Sequence, residues 1–380
     1  MILKYSYSYI NCKNCSSIKC ICKDEIVGEV KKPVNMFDKK GNLMCQGWSR
    51  QPYNFQYNAP QSFFSSKKDN LYQFNEYYIS TSQFSFNLVV NDFGKSNRFF
   101  IYFIKNSDKA SPIYQQDEFC SKYLFKGIKF PSDINKPGTH ARLNKKEFNI
   151  KFKVVKQGDQ VLHLVRVKNE KLKLNADLTF DMSPKRESMV VVSPFRRGLY
   201  HFCYGNSNLV PVSGSLVVDG VDYLDPEECD QEDINAGLIW NRGYHSFSFI
   251  GVSAWGMYKN NKVALRIILG EQIPVAKSFI NVNGVIHPLG NINICKEDLN
   301  ESCFTFFSKN ARFKSPVKFT PSKVQNVGFQ NRAIHLLTGS IQGDIILSNG
   351  EVIKLDSFNA SAMSNCLSIN NSLTHLLDIK

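Results

Sequence analysis

No stretch of this 380-residue sequence approaches the roughly 20 consecutive apolar residues that span a bilayer. The first residues, MILKYSYSYINCKN, also lack the continuous apolar segment of a secretory signal. The sequence has no GxSxG, no P-loop, no GxGxxG after a strand and no HExxH, the motifs of common hydrolases, nucleotide-binding enzymes and zinc peptidases. These absences predict a soluble, cytoplasmic protein outside those enzyme classes.

An apolar pattern at helical spacing is absent too, apart from one short turn near Asp225–Asp233. Apolar and polar residues alternate instead, which is the pattern of strands with one buried face. In one such segment Phe148, Ile150, Phe152 and Val154 alternate with Asn149, Lys151 and Lys153. A turn at Gln157–Asp159 leads back into VLHLVRV, so the segment predicts a hairpin.

Dipeptides typical of tight turns recur in the second half of the chain. They are Asp219–Gly220, Asn283–Gly284 and Asn349–Gly350, each between two β-like segments. Each pair predicts the positive φ angles of a two-residue type I′ hairpin.

These patterns predict an all-β protein of two consecutive antiparallel β-barrels or sandwiches, architectures that limit exposed strand edges. Prolines and charges in Asp181–Gly198 interrupt the strands and indicate a boundary there. We therefore expect a cysteine-containing tail at 1–25, an N-terminal β-domain at 26–188 and a C-terminal β-domain at 189–380.

The chain is poor in acidic residues relative to basic ones, with 33 against 47, and its formal charge is +14. Basic residues lie beside aromatics at Lys67–Lys68, in RLNKKEFNIKFK and in FFSKNARFKSPVKF. An RNA-binding or anionic-membrane adaptor is one interpretation. The solvent face of ordinary strands is the other, and no RNA-recognition or helix-turn-helix motif supports the adaptor.

Eleven cysteines without a signal sequence predict reduced thiols. Four of them, Cys12, Cys15, Cys20 and Cys22, form CKNCSSIKCIC and could bind zinc as a tetrahedral thiolate site. The CxC half and the four-residue gap depart from the usual spacing, so a metal-free tail is the alternative. Apart from zinc, no cofactor is indicated.

Two stretches combine aromatic, arginine and amide side chains, a mixture suited to a ligand cavity. They are QGWSRQPYNFQYN at 46–58 and GLIWNRGYHSFSFIGVSAWG at 237–256. A purely structural reading is equally open: the tryptophans pack in the core, and the arginines reach solvent or cap strand carbonyls.

The motifs PVNMFDKKGNLMCQGWSRQPYNFQYN, NADLTF, SMVVVSPF, SGSLVVDGVDYLDPEE and IWNRGY together resemble the family called domain of unknown function 2804. The resemblance extends from about Gly28 to Asn365. It implies, at the level of the fold, the two-barrel lipocalin-like architecture of carotenoid hydratases and tocopherol cyclases.

The resemblance carries specific residues over to this chain. These are Gly47, Trp48, Arg50, Pro52, Asn58, Tyr204, Trp240, Arg242, Gly243 and His287. It also implies departures at positions suited to a general acid or base, where this chain has Ile239, Lys277, Ser278 and Met363. His245 and His287 remain as weak catalytic candidates.

We expect the protein to bind an apolar or amphipathic small molecule, such as a lipid or isoprenoid-like compound, in a β-barrel cavity. The predicted ligand-binding residues are Trp48, Arg50, Asn58, Tyr204, Trp240, Arg242, Tyr244 and Trp255. Arg50 and Arg242 would orient a polar or anionic end. The alternative is a hydratase, isomerase or cyclase acting on an apolar substrate.

Overall fold

The computed structural model describes residues 28–57, 72–93, 96–106, 113–121, 127–131, 133–195, 200–227, 229–243, 249–270, 278–296, 303–308, 310–329 and 332–366. Within these ranges the chain forms 25 strands, and the one helix is a single 3-10 turn at Pro52–Asn54. The all-β prediction is confirmed. No helix in this part of the chain is long and apolar enough to cross a membrane.

The chain divides into two units. The first contains Glu29–His245 with Asn283–Ile286, and the second contains Ser246–Val282 and the chain from His287 onward. The boundary predicted at residue 188 falls inside the first of these units. Pro184 lies between two strands, but Pro194 lies within Met189–Phe195, which pairs with Gly47–Ser49 of the same unit.

The strands of the first unit form an eight-stranded and a six-stranded sheet beside one short parallel pair, β1–β3. The eight-stranded order is β2-β12-β13-β16-β4-β5-β6-β7, and the six-stranded order is β15-β14-β11-β10-β9-β8. The strands are β1 Val34–Asn35, β2 Gly47–Ser49, β3 Phe55–Gln56, β4 Tyr72–Ser80, β5 Phe84–Asp92, β6 Ser96–Lys105, β7 Ile113–Ser121, β8 Gly138–Asn144, β9 Phe148–Gln157, β10 Gln160–Asn169, β11 Leu174–Asp181, β12 Met189–Phe195, β13 Tyr200–Ser207, β14 Val212–Val218, β15 Val221–Asp222 and β16 Asn235–Gly243.

The two large sheets of the first unit bury their faces differently. On β9, buried Phe152 alternates with exposed Lys151 and Lys153, as expected for a sheet with one solvent face. On β16 every residue is buried, and β4 and β5 are buried almost throughout. Residues from both sheets share one apolar core, so the eight-stranded sheet has a second buried face that this core does not occupy.

The strands of the second unit form a nine-stranded antiparallel sheet in the order β20-β19-β18-β17-β25-β24-β23-β22-β21, of which only Val285 and Ile286 of β20 are counted with the first unit. Its end strands are consecutive in sequence, and the sheet forms a nearly closed barrel around a separate apolar core. The strands are β17 Phe249–Tyr258, β18 Asn261–Gly270, β19 Ser278–Val282, β20 Val285–Gly290, β21 Ile292–Lys296, β22 Phe304–Ser308, β23 Val317–Phe329, β24 Arg332–Ile346 and β25 Val352–Cys366.

Two of the three predicted type I′ turns are confirmed. Asp219–Gly220 and Asn283–Gly284 each have two positive φ angles and join adjacent strands. The third prediction is wrong in type: only Gly350 has positive φ, and the loop is longer, with Gly350 N donating to Leu347 O. Because the loop has more than two residues, Asn349 does not need the positive φ angle that a type I′ turn would require.

Candidate functional site

The second buried face of the eight-stranded sheet carries polar side chains in adjoining rows, and we call it the polar face. Directly paired residues of an antiparallel sheet share a face. The rows are Asn206, Ile239 and Glu76; Tyr204, Asn241 and Phe74; and Tyr78, Asn87 and Tyr102. An acid, three amides and three phenols thus lie on the side of the sheet away from the apolar core.

Glu76 is the carboxylate of the polar face, and it is only 8% exposed. Asn87 Nδ2 donates a hydrogen bond to Glu76 Oε1 at 3.1 Å and another to the hydroxyl of Tyr102. A buried carboxylate is costly unless hydrogen-bonded, so the amide both stabilises and positions this group. Ile239, where the family resemblance implies an acid, is directly paired with Glu76 on the neighbouring strand.

Asn241 presents a buried amide oxygen on the same face. Its Nδ2 donates to Tyr72 O at 2.5 Å and to Gly243 O at 3.0 Å, which fixes the orientation of the amide. The Oδ1 atom is buried and accepts no hydrogen bond from the described residues. Asn206 Oδ1 is also buried and likewise accepts no hydrogen bond from the described residues. Buried acceptors without a donor in the described part of the chain are candidates for a hydrogen bond from a group outside it.

Arg242 lies on the opposite, core-facing side of β16 and is 2% exposed. Its guanidinium donates to Phe74 O and Asn241 O at 2.9 Å, to Pro131 O at 3.2 Å and to Asn75 Oδ1 at 2.8 Å. Burial lowers the pKa of Arg242 to about 10, so the group stays charged at neutral pH. These contacts give Arg242 a structural role within the first unit.

Two histidines and a tyrosine continue this interior cluster. His163 Nε2 is 3.0 Å from Asn135 Oδ1 and therefore carries the proton, so Nδ1 accepts from the Tyr77 hydroxyl at 2.9 Å. Burial and, to a smaller extent, the nearby His140 together lower the pKa of His163 to about 3. Burial likewise lowers the pKa of His140 and raises the pKa of Tyr77. All three are neutral at pH 7.

This interior predicts acid sensitivity. The pKa of His163 is lower in the folded protein than in the unfolded chain, so its stabilising contribution is complete above about pH 6.5. As the pH falls toward 3, His163 binds a proton in the unfolded state but stays neutral in the folded state. The free energy of unfolding should fall by about 1.4 kcal/mol per pH unit for this group.

Denaturant titrations of the wild type and His163→Gln between pH 6.5 and 5 test this expectation. The free energy of unfolding of the variant should fall less steeply with falling pH than that of the wild type. The difference in slope should correspond to the uptake of close to one proton on unfolding. An equal slope in both proteins would show that His163 is already charged when folded.

The predicted ligand residues divide between several environments. Trp48 and Tyr204 lie on the polar face, in one row that also contains Val191. Trp240 points into the apolar core, where its indole covers Gly205. Trp255 is buried in the second unit.

The remaining predicted positions do not build the polar face. His287 belongs to the second unit, where Ser348 N donates to its Nδ1 at 3.3 Å. Outside the described residues lie Asn58, Tyr244, His245, Cys12, Cys15, Cys20 and Cys22. Within the described part of the chain, no group of three or more His, Cys, Asp or Glu side chains is placed to hold a metal ion.

Arg50 is engaged with acids rather than placed beside Arg242. Its Nε donates to Glu29 Oε1 at 3.0 Å, and its Nη1 donates to Glu187 Oε2 and Ile286 O at 2.5 Å. Two carboxylates therefore balance its charge. The guanidinium also lies 5.2 Å from the centre of the Trp48 ring. We assign Arg50 to holding these segments of the first unit together.

The sequence interpretation missed the polar groups that dominate this face: Glu76, Asn87, Tyr102, Asn206 and Asn241. A signal was present in β4, YQFNEYYIS, where polar and aromatic residues alternate without a solvent-like lysine face. Such a strand is compatible with burial on both sides. The exposed Lys151 and Lys153 of β9, by contrast, match the solvated-strand reading of the basic segments.

The profile of a family described only as a domain of unknown function, DUF2804, matches residues 27–364. The chain belongs to the DUF2804 family. This confirms the resemblance drawn from its motifs. No curated protein matches the DUF2804 chain.

Solved structures similar to this DUF2804 chain include three with low sequence identity. A protein described as AttH from Nitrosomonas europaea has 9% identity and a TM-score of 0.40, covering 82% of this chain and 96% of its own. CghA with Sch210972 has 9% identity, 79% and 89% coverage and a TM-score of 0.47. Kievitone hydratase from Nectria haematococca has 10% identity, 80% and 91% coverage and a TM-score of 0.44. At these values none assigns a reaction to the DUF2804 chain.

Proposed function

We propose that the polar face binds an amphipathic small molecule whose hydroxyl groups donate hydrogen bonds to it. The observation that carries the proposal is the pair of buried oxygens, Asn206 Oδ1 and Asn241 Oδ1, which accept nothing from the described chain. Leaving such acceptors unsatisfied costs about 1–3 kcal/mol each. A ligand hydroxyl satisfies them, whereas a purely hydrocarbon ligand does not.

The aromatic residues of the polar face supply the apolar half of this recognition. Trp48, Tyr204 and Phe74 lie in one row with Asn241, so flat apolar surfaces alternate with acceptors. Aromatic rings with a polar edge suit a ligand that is apolar along its length and hydroxylated at defined points. A hydroxylated lipid or isoprenoid-like compound has this chemistry.

The variant Asn206→Leu tests the proposal because it removes one acceptor while nearly conserving volume. Protein purified without denaturant should release a near-stoichiometric hydroxylated compound on organic extraction, and the variant should retain about a tenth or less. Without ligand, the free energy of unfolding of the variant should exceed that of the wild type by about 1 kcal/mol or more, because the variant lacks one buried unpaired oxygen.

Lys153→Leu, on the exposed face of β9, is the matched control and should retain the compound. Extraction that yields nothing from the wild type, or equal amounts from the wild type and Asn206→Leu, would remove the proposal.

A hydratase, isomerase or cyclase is the second candidate, and Glu76 favours it. The acid position implied at residue 239 is occupied by isoleucine, yet a buried carboxylate lies directly opposite on β4. Buried on the polar face and held by Asn87, this carboxylate has the placement of a general acid or base.

The extracted compound, returned to the protein in D2O, separates binding from proton transfer. An enzyme will exchange carbon-bound hydrogen for deuterium, Glu76→Gln will abolish the exchange, and both proteins will keep the ligand. Retention without exchange in the wild type identifies a binding protein.

A further inference from the structure

A continuous row of polar side chains crosses five strands of the second unit. Ser253 on β17 is paired with Arg266 on β18 and with Ser361 on β25. Ser361 is paired with Thr338 on β24, which is paired with Lys323 on β23. Because directly paired residues share a face, the whole row lies on the side of the sheet away from the apolar core.

Arg266 is the buried cation at one end of this row, with 7% of the residue exposed. Within the described part of the chain it makes one hydrogen bond, from Nη1 to Ser253 Oγ. Among the described residues its buried Nε has no acceptor, and the one hydrogen bond of the guanidinium to them is that from Nη1. Arg242 in the first unit, also buried, donates four hydrogen bonds. Arg266 therefore lacks the contacts that make Arg242 a structural residue.

Gly251 explains how the guanidinium comes to lie over β17. A Cβ atom at this position would lie 2.8 Å from Arg266 Nη2 and 3.2 Å from Cζ. The missing side chain leaves the space that the guanidinium occupies. With Nη1 held by Ser253, the Nε–Nη2 edge remains, and this edge offers two parallel N–H donors to a single oxyanion.

Apolar groups border the row on the same face. Trp255 lies two residues from Ser253 along β17, Phe279 is directly paired with Arg266, and Leu336 lies two residues from Thr338. All three are buried. A cationic and hydroxyl-bearing row beside buried apolar side chains fits an amphipathic anion better than a free inorganic one.

We infer that Arg266, with the hydroxyls of Ser253 and Ser361, binds the carboxylate or phosphate group of an amphipathic small molecule on the second unit. The polar face of the first unit offers acceptors to neutral hydroxyls, whereas Arg266, Ser253 and Ser361 offer donors to an anion. The two sets of residues therefore recognise ligand groups of opposite hydrogen-bonding type.

Four probes test the inference by calorimetric titration of the full chain: octyl phosphate, octanoate, octanol and inorganic phosphate. The wild type should bind at least one octyl anion about tenfold or more tightly than octanol. Arg266→Gln should reduce that affinity to the level of octanol. Gly251→Ala keeps every charge but displaces the flexible end of Arg266, and should weaken the anion about threefold or more.

Lys354→Gln, an exposed lysine on β25, removes the same unit of charge and should leave the affinity unchanged. Preference for octyl phosphate or for octanoate assigns the head group, and equal binding of inorganic phosphate would overturn the amphipathic requirement. Anion binding that is the same in Arg266→Gln and wild type, or no difference between the octyl anions and octanol, would overturn the site.

Discussion

Arg242→Ala is expected to destabilise the first unit by about 4 kcal/mol or more. The substitution removes the donors for Phe74 O, Asn241 O, Pro131 O and Asn75 Oδ1 in the interior. The Arg242 side chain that these acceptors surround is only 2% exposed, so bulk solvent is poorly placed to replace the lost hydrogen bonds. Denaturant unfolding at pH 7 measures the loss.

Arg242→Lys should cost nearly as much, because one ammonium cannot reach four acceptors at different positions. Arg166→Ala is the control: this arginine is exposed and pairs with exposed Asp177, so its loss should cost less than about 1 kcal/mol. A small effect of Arg242→Ala would mean that Arg242 is a ligand-facing group after all.

Gly205→Ala is expected to cost about 2–3 kcal/mol through overpacking. A Cβ atom at position 205 would lie 2.0 Å from two ring carbons of Trp240. The indole is buried and packed in the apolar core, so it has little room to move. The change in unfolding midpoint relative to wild type measures the cost.

The double variant Gly205→Ala/Trp240→Leu makes this a coupled test. Leucine lacks the ring that clashes, so the cost of Gly205→Ala should largely disappear in the Trp240→Leu background. An equal cost in both backgrounds would contradict the close packing of the indole on Gly205. Gly28→Ala, where a Cβ meets nothing within 4 Å, should be near neutral.

The strands were predictable because alternation and turn chemistry are local. The local sequence is sufficient to predict the strand from Phe148 to Val154 and the turns at Asp219–Gly220 and Asn283–Gly284. The boundary between units was not predictable in the same way. Met189–Phe195 joins a sheet with Gly47–Ser49, about 140 residues earlier, and no local pattern records that pairing.

The polar face was predictable only in part. Trp48 and Tyr204 were identified from residue type and resemblance, but Trp240 and Arg242, two residues apart, point to the core side. Glu76 was missed because the resemblance implies an acid at position 239, which is isoleucine in this chain. The carboxylate is on the neighbouring strand, and only the register shows the two residues to be paired.

Native mass spectrometry of the intact 43.3 kDa chain tests the central claim most directly. Wild-type protein should carry the added mass of one hydroxylated small molecule, and Asn206→Leu should appear at the mass of the bare chain. Bare wild-type protein, or an identical added mass in both proteins, would contradict binding at the polar face.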